Sequence, residues 1–177
     1  MRHRFQAEQW LPYPLEDVFR FFSDPANLPR LMPSWHKARI EAMKLVPPPN
    51  TATEVVAAGA GSRITISFRP FLFSPVRLRW EAEIADFAWN QHFSDLQRKG
   101  PFAYWLHRHS VQPSASNGPS GIGIHGTRVR DEITYQLPLG SLGNIVNRLF
   151  VKDQLRRTFA FRQARTIELL SRRRHAR

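Results

Sequence analysis

Ser141-Leu-Gly-Asn-Ile-Val-Asn-Arg-Leu-Phe-Val-Lys-Asp-Gln-Leu-Arg-Arg-Thr-Phe-Ala-Phe-Arg-Gln-Ala-Arg-Thr-Ile-Glu-Leu-Leu-Ser171 contains no proline, and Leu142, Ile145, Leu149, Leu155, Phe159, Ile167 and Leu170 recur along it at helical spacing. The pattern predicts one helix of about 31 residues, on the order of 46 Å at 1.5 Å per residue. A helix with an apolar stripe holds only when the stripe is buried against a partner surface. The rest of the chain must supply that surface.

Working back from the helix, Pro138 and Gly140 close a strand predicted over 127–137. Residues 112–126, rich in Ser, Pro, Gly and Asn, read as a loop, and 121–126 as a hairpin connection within it. Before them, 91–98 and 102–111 form a hairpin around Lys99-Gly-Pro101. In 76–87, Val76, Leu78, Trp80, Ala82 and Ile84 alternate with Arg77, Arg79, Glu81 and Glu83, so one face is apolar and the other wet. Residues 62–68 alternate Ile64, Ile66 and Phe68 against Arg63, Thr65 and Ser67. A strand over 35–45 ends at Pro47-Pro-Pro49, and the chain opens with another over 3–11. Between these two, Pro14 starts a short helix whose Leu15, Val18, Phe19 and Phe22 share a face. Ser23-Asp-Pro25 ends it and caps a second short helix to about Leu31.

The order is strand, two short helices, about six strands, one long helix. The fold class is therefore α+β: a curved antiparallel sheet of about seven strands wrapped around the C-terminal helix. A sheet of that size curls. Where its concave side chains fail to reach the helix, a cavity remains. We find neither an internal repeat nor a domain boundary, so 1–177 reads as one domain, with 172–177 as a basic tail.

Hydrophobic residues make up 42%, including 13 Phe and 5 Trp, enough for a sizeable core. The absence of cysteine removes disulfides, thiolate metal sites and cysteine nucleophiles, and suits the cytoplasm. No signal-peptide pattern follows the N-terminal Met-Arg-His-Arg-Phe, and no apolar run reaches the ~18 residues of a membrane span. The formal net charge is +12, and from Lys152 onward nine Lys or Arg face only Asp153 and Glu168. A basic helix of this kind reads as a solvated face, or as a contact for anionic membrane or nucleic acid. No nucleic-acid module accompanies it, so no nucleic-acid partner is expected. Phosphate loops, dinucleotide glycine patterns and serine nucleophile elbows are absent too.

Three stretches resemble a known family. Trp10-Leu-Pro-Tyr-Pro-Leu-Glu-Asp-Val-Phe-Arg-Phe-Phe-Ser-Asp-Pro-Ala-Asn-Leu-Pro-Arg-Leu-Met-Pro33 is similar to the start of bacterial polyketide-cyclase-like proteins. Asp95-Leu-Gln-Arg-Lys-Gly-Pro-Phe-Ala-Tyr-Trp-Leu-His-Arg-His109 resembles the Asp-x-Gln-x-x-Gly-Pro-aromatic, then Trp-x-His-x-His pattern of one branch. Thr127-Arg-Val-Arg-Asp-Glu-Ile-Thr-Tyr-Gln-Leu-Pro-Leu-Gly140 resembles that branch's last strand. Together with the element order, they identify the chain as a member of the START and birch-pollen-allergen-like (SRPBCC) superfamily, whose fold is the helix grip. The resemblance implies a cavity between sheet and helix. It covers lipid carriers, hormone receptors and aromatase/cyclases alike.

Trp105, His107 and His109 alternate on one strand and share a face. So do Asp95 and Gln97 before them, and Asp131, Ile133 and Tyr135 after them. If these faces are concave, the cavity gains a polar cluster among aromatic walls; the opposite parity would turn Tyr104 and Leu106 inward instead. With the faces inward, the expected ligand-binding residues are Trp80, Phe93, Asp95, Gln97, Trp105, His107, His109, Asp131, Ile133, Tyr135, Leu149 and Phe159. Phe19, Phe22 and Phe150 suit either a core or a cavity wall. The histidines suit three roles: fixing strand register through Asp131, Asp95 or Gln97, orienting a ligand, or acting as acid and base. His107, His109 and Asp131 are the catalytic candidates, and His-x-His with a carboxylate is also a zinc pattern. The leading expectation is a binding module for a small hydrophobic molecule such as a lipid, quinone, polyketide or aromatic metabolite, without cofactor or metal. The alternatives are a cyclase or dehydratase, and an interaction protein using the basic helix.

Overall fold

The computed structural model describes residues 1–49, 56–70, 73–117, 123–138 and 150–175. Seven strands form one antiparallel sheet: β1 (His3–Leu11), β2 (Arg39–Lys44), β3 (Arg63–Phe68), β4 (Leu78–Ala88), β5 (His92–Lys99), β6 (Tyr104–Asn117) and β7 (Gly123–Gln136). Their spatial order is β1-β7-β6-β5-β4-β3-β2. All neighbours except β1 and β7 follow one another in sequence, so the sheet is a meander from β2 to β7 with β1 added at its end. Between β1 and β2 lie helix α1 (Leu15–Ser23) and three 3₁₀ turns, Pro25–Asn27, Pro29–Leu31 and Ser34–His36. Helix α2 (Lys152–His175) closes the chain.

Local chemistry explains α1. Pro14 precedes it with an extended backbone, Glu16 and Asp17 sit at its positive end, and Val18, Phe19 and Phe21 are buried. At its end, Asp24 accepts a hydrogen bond from the Ala26 amide and starts the first 3₁₀ turn. The second short helix expected to Leu31 is thus two 3₁₀ turns, because Pro25 and Pro29 each withhold an amide hydrogen.

Helix α2 lies against the sheet. Leu155, Phe159, Thr166, Leu169 and Leu170 are buried along it, and Phe159 packs on Phe5 of β1 at 5.1 Å. A reciprocal clamp fixes it to the sheet edge: Gln9 Nε2 donates to the Gln163 carbonyl, and Gln163 Nε2 to that of Glu8. Ile167, expected on the apolar stripe, is exposed; Leu169 takes the inward position. The helix also continues through 172–175, beyond its expected end at Ser171 and into the expected tail. There Arg173 lies over the Phe21 ring and near Asp24, so this end is docked on α1. The expected helical residues 141–149, Leu149 included, fall outside the described residues.

Two strand readings need correction. The loop expected over 112–126 is largely strand: β6 and β7 pair from Tyr104↔Gln136 out to Asn117↔Gly123. Backbone pairing runs the full length of this outer ladder. None of the described side chains over 112–116 and 124–126 is fully buried, so no apolar period marks them in the sequence. The strand expected over 35–45 is shorter, because Trp35 and His36 belong to a 3₁₀ turn. On β2 only Ile40 is partly buried. A charged, bulged edge strand of this kind discourages pairing with another chain.

Candidate functional site

A cavity of about 770 Å³ lies between the sheet and α2. Small-molecule sites typically span about 300–1,000 Å³. Ile64, Ile66, Leu78, Trp80, Ile84 and Phe93 line it from the sheet, Leu28, Leu31 and Met32 from the 3₁₀ turns, and Leu155 and Phe159 from α2. Phe150 lines it too and is 68% exposed, so this end of the cavity reaches the surface. A separate hollow of about 410 Å³ beside Tyr13 and Leu170 shares none of these residues.

Strand register builds a polar cluster into one wall. Asp95 of β5 stands opposite His107 of β6, and His109 opposite Asp131 of β7. Side chains at paired positions on one face are neighbours, so His-x-His on a central strand meets a carboxylate on each side. His107 Nε2 donates to Asp131 Oδ1 at 3.1 Å, and its Nδ1 lies 3.3 Å from Asp95 Oδ2. His109 Nδ1 lies 2.5 Å from Asp131 Oδ1, without the alignment of a hydrogen bond. From α2, Arg162 Nη2 reaches His109 Nε2 at 3.3 Å. A guanidinium only donates, so Nε2 accepts and the imidazole proton sits on Nδ1, toward Asp131.

These contacts give the two histidines opposite charge preferences. Burial disfavours the His107 cation, but the hydrogen bond to Asp131 and the Asp95 carboxylate outweigh it and raise the pKa. For His109, burial, the charge of His107 and Arg162 lower the pKa to about 4. Burial opposes ionisation of Asp131, yet the two imidazoles and Arg162 hold its pKa well below the usual range. With a carboxylate against each His107 nitrogen, the network favours the imidazolium there, beside a His109 imidazole held neutral and capped by arginine.

Stability should follow pH accordingly. His109 takes up a proton below about pH 6.5 in the unfolded chain but only near 4 in the native one, so stability falls as pH drops through that window. The raised His107 pKa adds stability that is complete below about 6.5 and is lost as pH rises through the folded value. The depressed Asp131 adds stability present above about 3.9, lost as pH falls through its folded value. Thermal melts of His109→Gln between pH 4 and 6.5 should show a flatter slope than the native protein, by up to about 1.4 kcal/mol per pH unit. Parallel slopes would contradict the assignment.

Of the expected site residues, Trp80, Phe93, Asp95, Trp105, His107, His109 and Phe159 line the cavity, with the histidine face inward. Four do not. Asp131 is buried beside the histidines and contacts both. Ile133 and Tyr135, each 1% exposed, pack in the core with Trp105 and Phe159. Gln97 Nε2 donates to the Phe102 carbonyl and ties the β5–β6 turn. Phe22 and Phe150 line the cavity, whereas Phe19 is core.

The sequence reading missed Arg162 and His36. Arg162 had a signal: Leu155, Phe159, Arg162, Thr166 and Leu169 follow helical spacing, so an arginine interrupts the buried stripe. His36 had none. It donates from Nδ1 to the Arg69 carbonyl at 2.5 Å and is brought to the cavity by a 3₁₀ turn. Burial outweighs that bond and lowers its pKa.

Asp95, His107 and His109 each bring one ligand atom within 4.8 Å of the others, the spacing of a metal cradle. The nitrogens are already engaged, His107 by two carboxylates and His109 by Asp131 and Arg162. A cation at His109 Nε2 would have to displace a guanidinium.

Solved structures share this architecture. The ZhuI aromatase/cyclase from Streptomyces sp. R1128 matches with a TM-score of 0.64 at 9% identity, over 98% of this chain and 96% of that one. Ara h 8.0201 gives 0.55 at 13%, over 95% and 99%. TTHA0849 from Thermus thermophilus gives 0.58 at 18%, over 94% and 99%. At such identities the likeness is one of fold, the helix grip of the SRPBCC superfamily. No curated protein matches the chain in sequence. The family model described as polyketide cyclase/dehydrase and lipid transport matches residues 11–162. With that match spanning most of its length, and the sheet, helix and cavity in place, the chain belongs to the polyketide cyclase/dehydrase and lipid transport family.

Proposed function

We propose that the protein is a carrier or receptor for a small hydrophobic molecule, held between the sheet and α2. The observation that carries this reading is the cavity itself, about 770 Å³ with mostly aliphatic and aromatic walls and one polar wall. Apolar walls supply affinity at roughly 25 cal/mol per Å² buried, and the polar wall sets orientation. The cytoplasm, where a cysteine-free chain forgoes nothing, suits such a carrier. Native mass spectrometry of the purified protein tests the reading by detecting a co-purified small molecule.

A second reading is acid–base chemistry of the cyclase or dehydratase kind. The exposed chemistry favours binding instead. A general base needs an available lone pair near the substrate. Carboxylates face both His107 nitrogens, and Arg162 faces the His109 lone pair. Trp105→Ala should therefore weaken ligand binding by removing wall area. His107→Gln should still bind within about tenfold, about 1.4 kcal/mol, by titration calorimetry. For an acid–base enzyme, the same variant would bind yet turn over roughly 100-fold slower. Stoichiometric zinc in the native protein, lost in His107→Gln, would contradict the carrier reading.

The basic helix supports the third reading, membrane or nucleic-acid contact, least. Arg172 pairs with Glu168, and Arg173 with Asp24 and Asn27. Among the described residues no helix is long and apolar enough to cross a membrane.

A further inference from the structure

Arg162 brings a guanidinium to the wall of a mostly apolar cavity, where it forms no direct ion pair among the described residues. Its guanidinium stands 5.3 Å from the centre of the Phe22 ring and 5.7 Å from that of Phe159. Nη2 donates to His109 Nε2, while Nε is buried with no partner. Among the described residues Arg162 forms no direct ion pair, although its charge helps to keep Asp131 ionised. The side chain is half-buried, and aromatic faces compensate a cation only in part. The helix nevertheless places this arginine on its buried stripe, between Phe159 and Thr166.

We propose that the cavity's ligand is an amphipathic monocarboxylic acid, its apolar body packed on the aromatic wall and its carboxylate seated on Arg162. This deepens the carrier reading and rests on it. A guanidinium edge presents parallel N–H groups that match the two oxygens of a carboxylate. The carboxylate would accept from the guanidinium, while His109 keeps Nη2 in place and so aims the fork. Aliphatic and aromatic acids share this chemistry.

The test is displacement of a neutral fluorescent probe, N-phenyl-1-naphthylamine, at pH 7.4. Laurate is compared with methyl laurate, and 2-naphthoate with methyl 2-naphthoate. In the native protein at least one acid should displace the probe at about tenfold lower concentration than its ester, about 1.4 kcal/mol. The pair with the larger ratio identifies an aliphatic or an aromatic body. Arg162→Met should erase the preference of acid over ester, and Arg162→Lys should retain part of it. Equal displacement by acid and ester in both pairs would overturn the inference, as would a preference that survives in Arg162→Met. The native comparison decides alone if Arg162→Met does not fold. A probe that never enters the native protein would instead overturn the carrier reading beneath it.

Discussion

Asp131→Asn is expected to cost about 3–5 kcal/mol of folding free energy at neutral pH, because it strands a buried imidazolium. Asp131 is 5% exposed and contacts both His107 and His109. The variant keeps the shape and loses the charge. Asp95 still faces His107 but is more exposed, so it compensates incompletely. A native domain holds only about 5–15 kcal/mol in total, so the variant should sit near the limit of folding. Urea denaturation gives the value, and a double-mutant cycle shows its origin. His107→Gln should cost much less in the Asp131→Asn background than alone, since the two residues share one interaction. A loss below about 1 kcal/mol, or additive effects, would mean that water reaches the cluster and that it contributes little to the fold.

Phe159→Ala is expected to cost about 3 kcal/mol, the lower end of the usual range for removing a buried aromatic ring. Phe159 is 5% exposed, packs on Phe5 and meets the His107 ring edge-on at 5.6 Å. It is therefore the contact through which α2 grips both the sheet edge and the polar wall. The low end applies because the ring already borders a cavity, so part of its surface has no packing partner to lose. The variant should also loosen the apolar site. Equilibrium unfolding measures the first effect and probe titration the second. Native-like stability would mean that the helix is held by its other contacts, chiefly Leu155, Leu169 and the Gln9–Gln163 clamp.

Much of the fold was legible because its signals are local. The apolar stripe of α2, the alternation in β3 and β4, and the prolines around α1 each report a burial pattern or a backbone restriction within a few residues. Family-like motifs added the order in which these pieces assemble. The outer ladder of β6 and β7 was not legible: none of the described side chains over 112–116 and 124–126 is buried, and backbone hydrogen bonds leave no mark on residue type.

The site divides along the same line. By itself the sequence determined that Trp105, His107 and His109 share a face, that carboxylates stand on the flanking strands, and that cysteine chemistry is excluded. Parity alone is enough for that, since a strand's side chains alternate strictly. Only the tertiary structure decided which face turns inward. It also gave each imidazole nitrogen its partner, placed Asp131, Ile133 and Tyr135 beneath the cavity wall, and brought Arg162 to His109 from 53 residues away. Those outcomes depend on strand register and on where α2 crosses the sheet. Register and crossing are set by packing among residues far apart in the chain, and no single segment encodes them.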